Sequence, residues 1–346
     1  MLSLYRSGRQ SEALDSYRAA RELFVEELGI DPGPALQELE KSILQQAPTL
    51  ELDAAVAAGQ PDQTTARRAV LAASSREEGL DGLLALAVPL ARSPGRELIV
   101  AQLVSDQHAL SDQAARLHER RADLMRDGLA ARVATFVSSN PGADTAKVAA
   151  EQDVDLVLLD APPGMLNGGA LPEALMTVLN NAPCDVGIVA LRSDPTSVSP
   201  TRPVFVPFGG AEHDWGAVEL GAWIARANDA QLVLVGAQSP TNEGDGDSSR
   251  LLARASLIIQ KATGIPAEPR LVAGGTEALV EAIGGAGIAV AGLSNRRAIS
   301  EPGGARHAFL RDSSAPTVFV RKGVRPGGLA PPESMTRFGW SLSLGV

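Results

Sequence analysis

From residue 67 onward the sequence alternates short apolar runs with longer amphipathic ones, and it does so twice. The first pass reads "RRAVLAAS", "LDGLLALAVPLAR", "RELIVAQLV", "SDQAARLHERRADLMRDGL", "AARVATFVS", "DTAKVAAEQ", "VDLVLLDA", "LPEALMTVLNNA" and "CDVGIVAL". The second reads "RPVFVPFG", "GAVELGAWIARAN", "AQLVLVGAQ", "SRLLARASLIIQKATG", "AEPRLVAG", "TEALVEAIGG", "AGIAVAGLS", "ARHAFLRDS" and "APTVFVRK". Runs of five to eight apolar residues that do not alternate with polar ones are strands buried on both faces. Strands of that kind, separated by helix-length segments, predict a parallel sheet covered by helices on both sides. Blocks also match between passes: "LARSPGRELIVAQLV" aligns with "IARANDAQLVLVGAQ", and "NNAPCDVGIVAL" with "DSSAPTVFVRK". The fold class is therefore α/β, with two tandem doubly wound, Rossmann-type domains over 67–195 and 202–322. Aromatic residues make up 3% of the chain, so the cores are built from Ala, Val, Leu and Ile.

The order of elements, and the late helix that leads through "NAPCDVGIV" into a last strand, make each half resemble a universal stress protein domain. The resemblance implies a phosphate loop of pattern G-x2-G-x9-G-[ST] after the fourth strand, and an acidic residue after the first strand. Glycines there let backbone amides approach phosphate at a helix N-terminus. In the first half the first two glycine positions fall on Asp160 and Pro163, and the third near Pro172 or Glu173. Prolines remove donors and carboxylates repel phosphate, and "AAS" stands where the acid is expected. The first half is expected to have lost the site. The second half keeps Gly292, has Asn295 at the second position, and offers Gly303 and Gly304 before Ala305. Arg296 and Arg297 are candidates to pair with phosphate. Gly209 and Gly210 allow a tight loop after its first strand, followed by Glu212, His213 and Asp214. Open α/β sheets bind ligands at this carboxyl edge. Gly209, Gly210, Gly292, Asn295, Gly303 and Gly304 are thus the candidate cofactor-binding residues, with ATP as the candidate ligand; otherwise no cofactor is expected. Asp214 is the candidate helix cap.

Residues 1–47 follow a different, all-helical pattern. Gly8, Ala13, Tyr17 and Ala20 have the spacing of a helix-turn-helix repeat, in which small residues bring two helices together and Tyr fills the groove. Gly29 and "IDPGP" stop one helix, and Pro34 opens another. "LYRSGRQSEALDSYRAARELFVEELGIDPGPALQELEKSIL" resembles the C-terminal end of the bacterial transcriptional activator domain, a tetratricopeptide-like module of AfsR/DnrI-type regulators. In that family a winged-helix DNA-binding domain precedes the module. The resemblance implies membership of a regulator family, and the expectation is a truncated part of a longer DNA-binding activator. Residues 48–66 read as a linker and 323–346 as a tail, whose Phe338 and Trp340 are expected to anchor it on the protein's own surface.

The remaining features narrow the function. A net charge of −10 disfavours direct DNA binding by this chain. No run of eighteen apolar residues predicts a membrane span, and the N-terminus lacks a signal-peptide core. One cysteine, Cys184, points to a reducing, cytoplasmic setting. No nucleophile elbow occurs, and His108, His118, His213 and His307 have no metal-ligand spacing. The expectation is a non-enzymatic regulatory protein that works through protein contact or self-association, with degenerate nucleotide sites. The alternatives are an adenine-nucleotide-binding stress protein and the truncated activator.

Overall fold

The computed structural model describes residues 10, 13–19, 21, 32–45, 68–162, 165, 171–191, 198–238, 245–293, 312–313, 315–331, 334 and 340–342. The chain forms two compact units, Met1–Thr65 and Ala66–Val346. In the first unit residues 13–19 are helical and α1 spans Pro34–Leu44, opened by the proline. Ala13, Tyr17 and Ile43 are buried, and Gln10 Nε2 donates to the Ile43 carbonyl at 3.0 Å. Tyr17 is thus buried, as expected of a side chain that fills a groove. Gly8, Ala20 and Gly29 lie outside the described residues.

The second unit follows the predicted alternation. Its first half runs β1 (Arg68–Ser74), α2 (Glu77–Ala91), β2 (Arg96–Val104), α3 (Leu110–Arg126), β3 (Ala131–Val137), α4 (Pro141–Glu151), β4 (Val154–Asp160), α5 (Glu173–Asn181) and β5 (Asp185–Ala190). The second half runs β6 (Val204–Pro207), α6 (Glu212–Ala227), β7 (Leu232–Ala237), α7 (Asp245–Thr263), β8 (Ala267–Val272), α8 (Thr276–Ile283), β9 (Ile288–Gly292) and β10 (Thr317–Arg321). The predicted helix "ARHAFLRDS" falls almost wholly outside the described residues.

All ten strands join one sheet in the order β3-β2-β1-β4-β5-β10-β9-β6-β7-β8. Pairing is parallel within each half, and antiparallel where β5 meets β10. Ile188 lies opposite Phe319 at the centre of that junction, Val189 opposite Val318 and Gly187 opposite Val320. The halves are therefore related by a two-fold axis through the Ile188–Phe319 pair. Each last strand covers the other's open edge, which would otherwise present unpaired backbone groups.

The ladders fix which residues correspond. Val70 pairs with Leu156 in one half and Val204 with Ile288 in the other. Counting from those pairs sets Ser74, Arg76, Gly79 and Asp160 of the first half against Phe208, Gly210, His213 and Gly292 of the second.

Two apolar layers flank the sheet. One gathers Leu83, Leu90 and Leu117 with Trp223, Ile224 and Ile259, so it runs unbroken across both halves. The other gathers Val178, Leu179 and Ile188 with Ile283, Ala289 and Phe319. Every residue of α6 from Trp215 to Ala225 is buried, including Glu219.

The segment after β10 is a strap that touches both halves. Gly323 N–H donates to Asp185 at 2.7 Å, and the Val324 and Arg325 amides donate to the Pro183 carbonyl at 2.9 Å. The Arg325 guanidinium donates to the carbonyls of Ala149 (3.1 Å), Ala150 (2.9 Å) and Val154 (3.3 Å), capping the end of α4. Leu342 is buried in the first apolar layer and Trp340 packs against it. Phe338, the other expected anchor, lies outside the described residues.

Candidate functional site

In the first half an ion pair crosses the carboxyl edge. Arg76, just past β1, donates from Nε to Asp160 Oδ2 at 2.7 Å and from Nη2 to the same oxygen. Its Nη2 also reaches the Ala161 carbonyl at 3.1 Å. The Ser74 hydroxyl lies 2.9 Å from Asp160 Oδ1 and 2.6 Å from the Arg76 carbonyl, and it accepts the Arg76 amide at 3.0 Å. By register Asp160 corresponds to Gly292, and this bridge fills the mouth with a carboxylate already committed to a cation.

The bridge also divides the space around it. On one side is a pocket of about 200 Å³ lined by Ala73, Leu103, Gly142, Leu175 and Val178, with Ser74 at its polar end. On the other is a pocket of about 160 Å³ lined by Gly79, Leu83, Val189 and Leu191. Arg76 and Asp160 line both. Sites for drug-sized or nucleotide-sized ligands run from about 300 to 1,000 Å³. Sequence reasoning missed Arg76. The signal was the acid displaced from β1 to β4, with a basic residue left opposite it.

The second half builds its edge differently. Gly209, Gly210 and Gly292 converge on the first turn of α6. Gly210 has φ +86°, a conformation that an L side chain rarely adopts. A Cβ on Gly292 would overlap the His213 carbonyl, so β9 and α6 meet backbone to backbone. Asp214 accepts the Gly209 amide at 3.0 Å and the Ala211 amide at 3.1 Å. The helix begins at Glu212, four residues earlier than its apolar pattern indicates; its N-cap is Ala211, and Asp214, expected as the cap, stands instead at the third helical position and reaches back to the Ala211 amide. His213 Nε2 lies 3.3 Å from Asp214 Oδ1. The Gly209 and Ala211 amides are thus engaged by a carboxylate. Asn295, Gly303 and Gly304 lie outside the described residues, as do Arg296 and Arg297.

The opposite edge of the first half carries a buried charge cluster. Asp155 lies 3.3 Å from Arg68 Nε and 3.5 Å from Arg96 Nη2. Burial, against the pull of those two arginines, raises its carboxyl to about 6. Burial, reinforced by Asp185, pushes the Cys184 thiol up to about 12, so it packs as an unreactive apolar group. Among the described residues no cluster of three or more His, Cys, Asp or Glu is placed to hold a metal ion, and no helix is long and apolar enough to cross a membrane.

Comparison with known proteins places these features. Residues 1–44 match the model of the bacterial transcriptional activator domain. Regulatory protein AfsR of Streptomyces coelicolor is 60% identical over 58 residues, covering 16% of this chain and 6% of AfsR. Transcriptional regulator RedD of the same organism is 46% identical over 56 residues, 16% of each chain. The chain therefore spans a small part of the curated relatives it matches. Among solved structures, a universal stress protein from Archaeoglobus fulgidus superposes with TM-score 0.56 at 17% identity, covering 74% of this chain and 99% of its own. A putative universal stress protein from Pseudomonas aeruginosa gives TM-score 0.53 at 17% identity, covering 75% and 94%. The cytoplasmic domain of a prokaryotic cation chloride cotransporter gives TM-score 0.53 at 9% identity, covering 76% and 98%. The chain thus joins a segment matching the bacterial transcriptional activator domain to an α/β unit with the universal stress protein-like fold.

Proposed function

We propose that this chain is a non-enzymatic, cytoplasmic regulatory protein of the transcription-regulator type, acting through protein–protein contact, in which the nucleotide sites of both halves have degenerated. One observation supports the reading: Asp160, which by register corresponds to Gly292, holds its carboxylate paired with Arg76 at the mouth of the first half. In the second half Asp214 takes the loop amides. A phosphate brought to Asp160 meets repulsion from a carboxylate whose cation is already engaged. The match of residues 1–44 supports the regulatory class. Within it, residues 67–195 and 202–322 act as two domains of a scaffold, with 48–66 as the linker. DNA contact is assigned to other polypeptide, since this chain carries a net charge of −10.

The second reading, an adenine-nucleotide sensor, is favoured by the paired glycines of the second half. Its ligand would lie along Gly209, Gly210, Gly292, Asn295, Gly303 and Gly304. Isothermal titration with ATP separates the two. The regulatory reading expects no heat and no thermal stabilisation at millimolar ATP. Micromolar binding that is abolished in Gly304→Glu overturns it in favour of the sensor.

A further inference from the structure

The strap after β10 closes over an acid that the fold does not need. Glu219 sits in the middle of α6, 1% exposed, and neither carboxylate oxygen has a hydrogen bond of ordinary geometry. Gly327 packs so closely on it that a Cβ would overlap its oxygens, and Gly328 lies in the same way on Trp223, one turn further along the helix. The Leu329 backbone approaches the carboxylate from the strap. The cation facing it is Lys322, at the root of the strap, with Nζ 3.6 Å from Oε2 and itself without a hydrogen bond. The internal two-fold axis supplies a control. The first-half positions that correspond to Glu219 and Lys322 are Ala85 and Leu191, so the same helix–sheet packing forms there with no charge.

We propose that the strap is a proton-controlled latch, docked while the Glu219 carboxyl is neutral and loosened when it ionises. The surroundings favour the neutral form. Burial is the first cause, and the buried Asp185 on β5 is the second; Lys322 opposes both, and the carboxyl is raised from 4.5 to about 7. The remaining charges are committed elsewhere. Arg321 on β10 donates to the Ala182 and Lys322 carbonyls, at 2.8 and 3.2 Å. Arg96 on β2 stacks 4.5 Å over Trp223 and donates to the Gly328 carbonyl. Arg68 on β1 donates to the strap carbonyls of Ala330 (3.3 Å) and Ser334 (3.2 Å). Asp155 on β4 lies between those two arginines, and Arg226 on α6 acts on Arg96.

The sign follows from linkage. The docked form holds a proton through the interval in which a solvent-exposed carboxyl has lost it. Docking is therefore firmest in mild acid, weakens as pH rises through that interval, and is weakest above neutrality. Release uncovers Trp223 and withdraws Arg325 from the end of α4, so one proton alters the surface of both halves.

Hydrogen exchange of residues 323–331 in the full chain, normalised for intrinsic rates, tests the latch. Protection is expected to fall about tenfold or more between about pH 5.5 and 8, since each unit of pKa separation corresponds to a factor of ten. Glu219→Gln is expected to keep the strap protected at both ends with a flat profile. Gly327→Ala is expected to lose protection at every pH. A flat wild-type profile overturns the proposal, and so does an unchanged slope in Glu219→Gln. If Glu219→Gln fails to fold, the wild-type slope is compared with that of Gly327→Ala, where a steeper wild-type slope supports the latch and equal slopes overturn it.

Discussion

The two halves share a fold and close the same edge in opposite ways. In the first, Gly79 on α2 leaves room for the Asp160 side chain, which a Cβ on Gly79 would approach to 2.8 Å. In the second, the glycine has moved to the strand: Gly292 leaves room for the backbone of His213. Helix and strand must meet closely at this point, and either partner can be the small one. What changes is the chemistry left over. Where the helix carries the glycine, the strand is free to hold a carboxylate and bridge to Arg76. Where the strand carries it, that bridge cannot form, and Asp214 takes up the loop amides instead.

Substituting the two glycines probes this difference most strongly. Gly292→Ala forces a side chain onto backbone that cannot yield, and is expected to cost about 3 kcal/mol or more in urea unfolding. Gly79→Ala meets only the Asp160 side chain and is expected to cost less, about 1–2 kcal/mol. In an Asp160→Gly background that smaller cost is expected to vanish, and if it persists the exchange of roles is wrong.

Next in size is the bridge itself. Asp160→Ala strands Arg76 and Ser74, for an expected loss of about 2 kcal/mol. A double-mutant cycle with Arg76→Ala is expected to show about 1 kcal/mol of coupling, and additive losses would remove the bridge from the comparison.

The opposite edge predicts a pH effect on one side only. Asp155 has its carboxyl raised from 3.8 to about 6, while the corresponding position in the second half is Gly287. The folded protein holds that proton through an interval in which the unfolded chain has lost it. Asp155 therefore contributes a fall in stability as pH rises from about 4 to 6, on the order of 1–2 kcal/mol. Asp155→Asn is expected to flatten that part of a stability–pH curve, and an unchanged slope would assign it to other groups.

Asp214→Ala has the smallest expected effect. Two loop amides lose their acceptor at a helix N-terminus, for about 1 kcal/mol by urea unfolding. A loss much larger than that would mean that Asp214 supports more than the loop.

Much of the fold was legible because its signals are local. "RELIVAQLV" is β2 residue for residue, and the alternation of elements holds through the first half and, among the described residues, as far as β9 in the second. The start of α6 was not legible. Glu212, His213 and Asp214 are polar, and the apolar helical pattern begins only at Gly216. The antiparallel joining of β5 and β10 was equally hidden, since it depends on which apolar edge finds which partner. At the site, the glycine positions of the second half were readable from spacing. The Arg76–Asp160 bridge was not, because its residues are 84 positions apart and only the β1–β4 ladder brings them together. The docking of Trp340 was visible in outline, as an aromatic placed at the end of a chain poor in them.

One sheet shared by two unequal halves has a direct consequence for unfolding. Trp215 and Trp223 lie on α6 and Trp340 in the strap, so tryptophan fluorescence reports chiefly the second half, with Trp223 also in contact with Ser93 and Arg96 of the first. Hydrogen exchange at β1 and β2 reports the other side. Followed together through a urea titration, the two probes are expected to give one coincident transition, because the β5–β10 junction and the apolar layer beneath it span both halves. Two separated midpoints, with the first half surviving after the tryptophans are exposed, would contradict it.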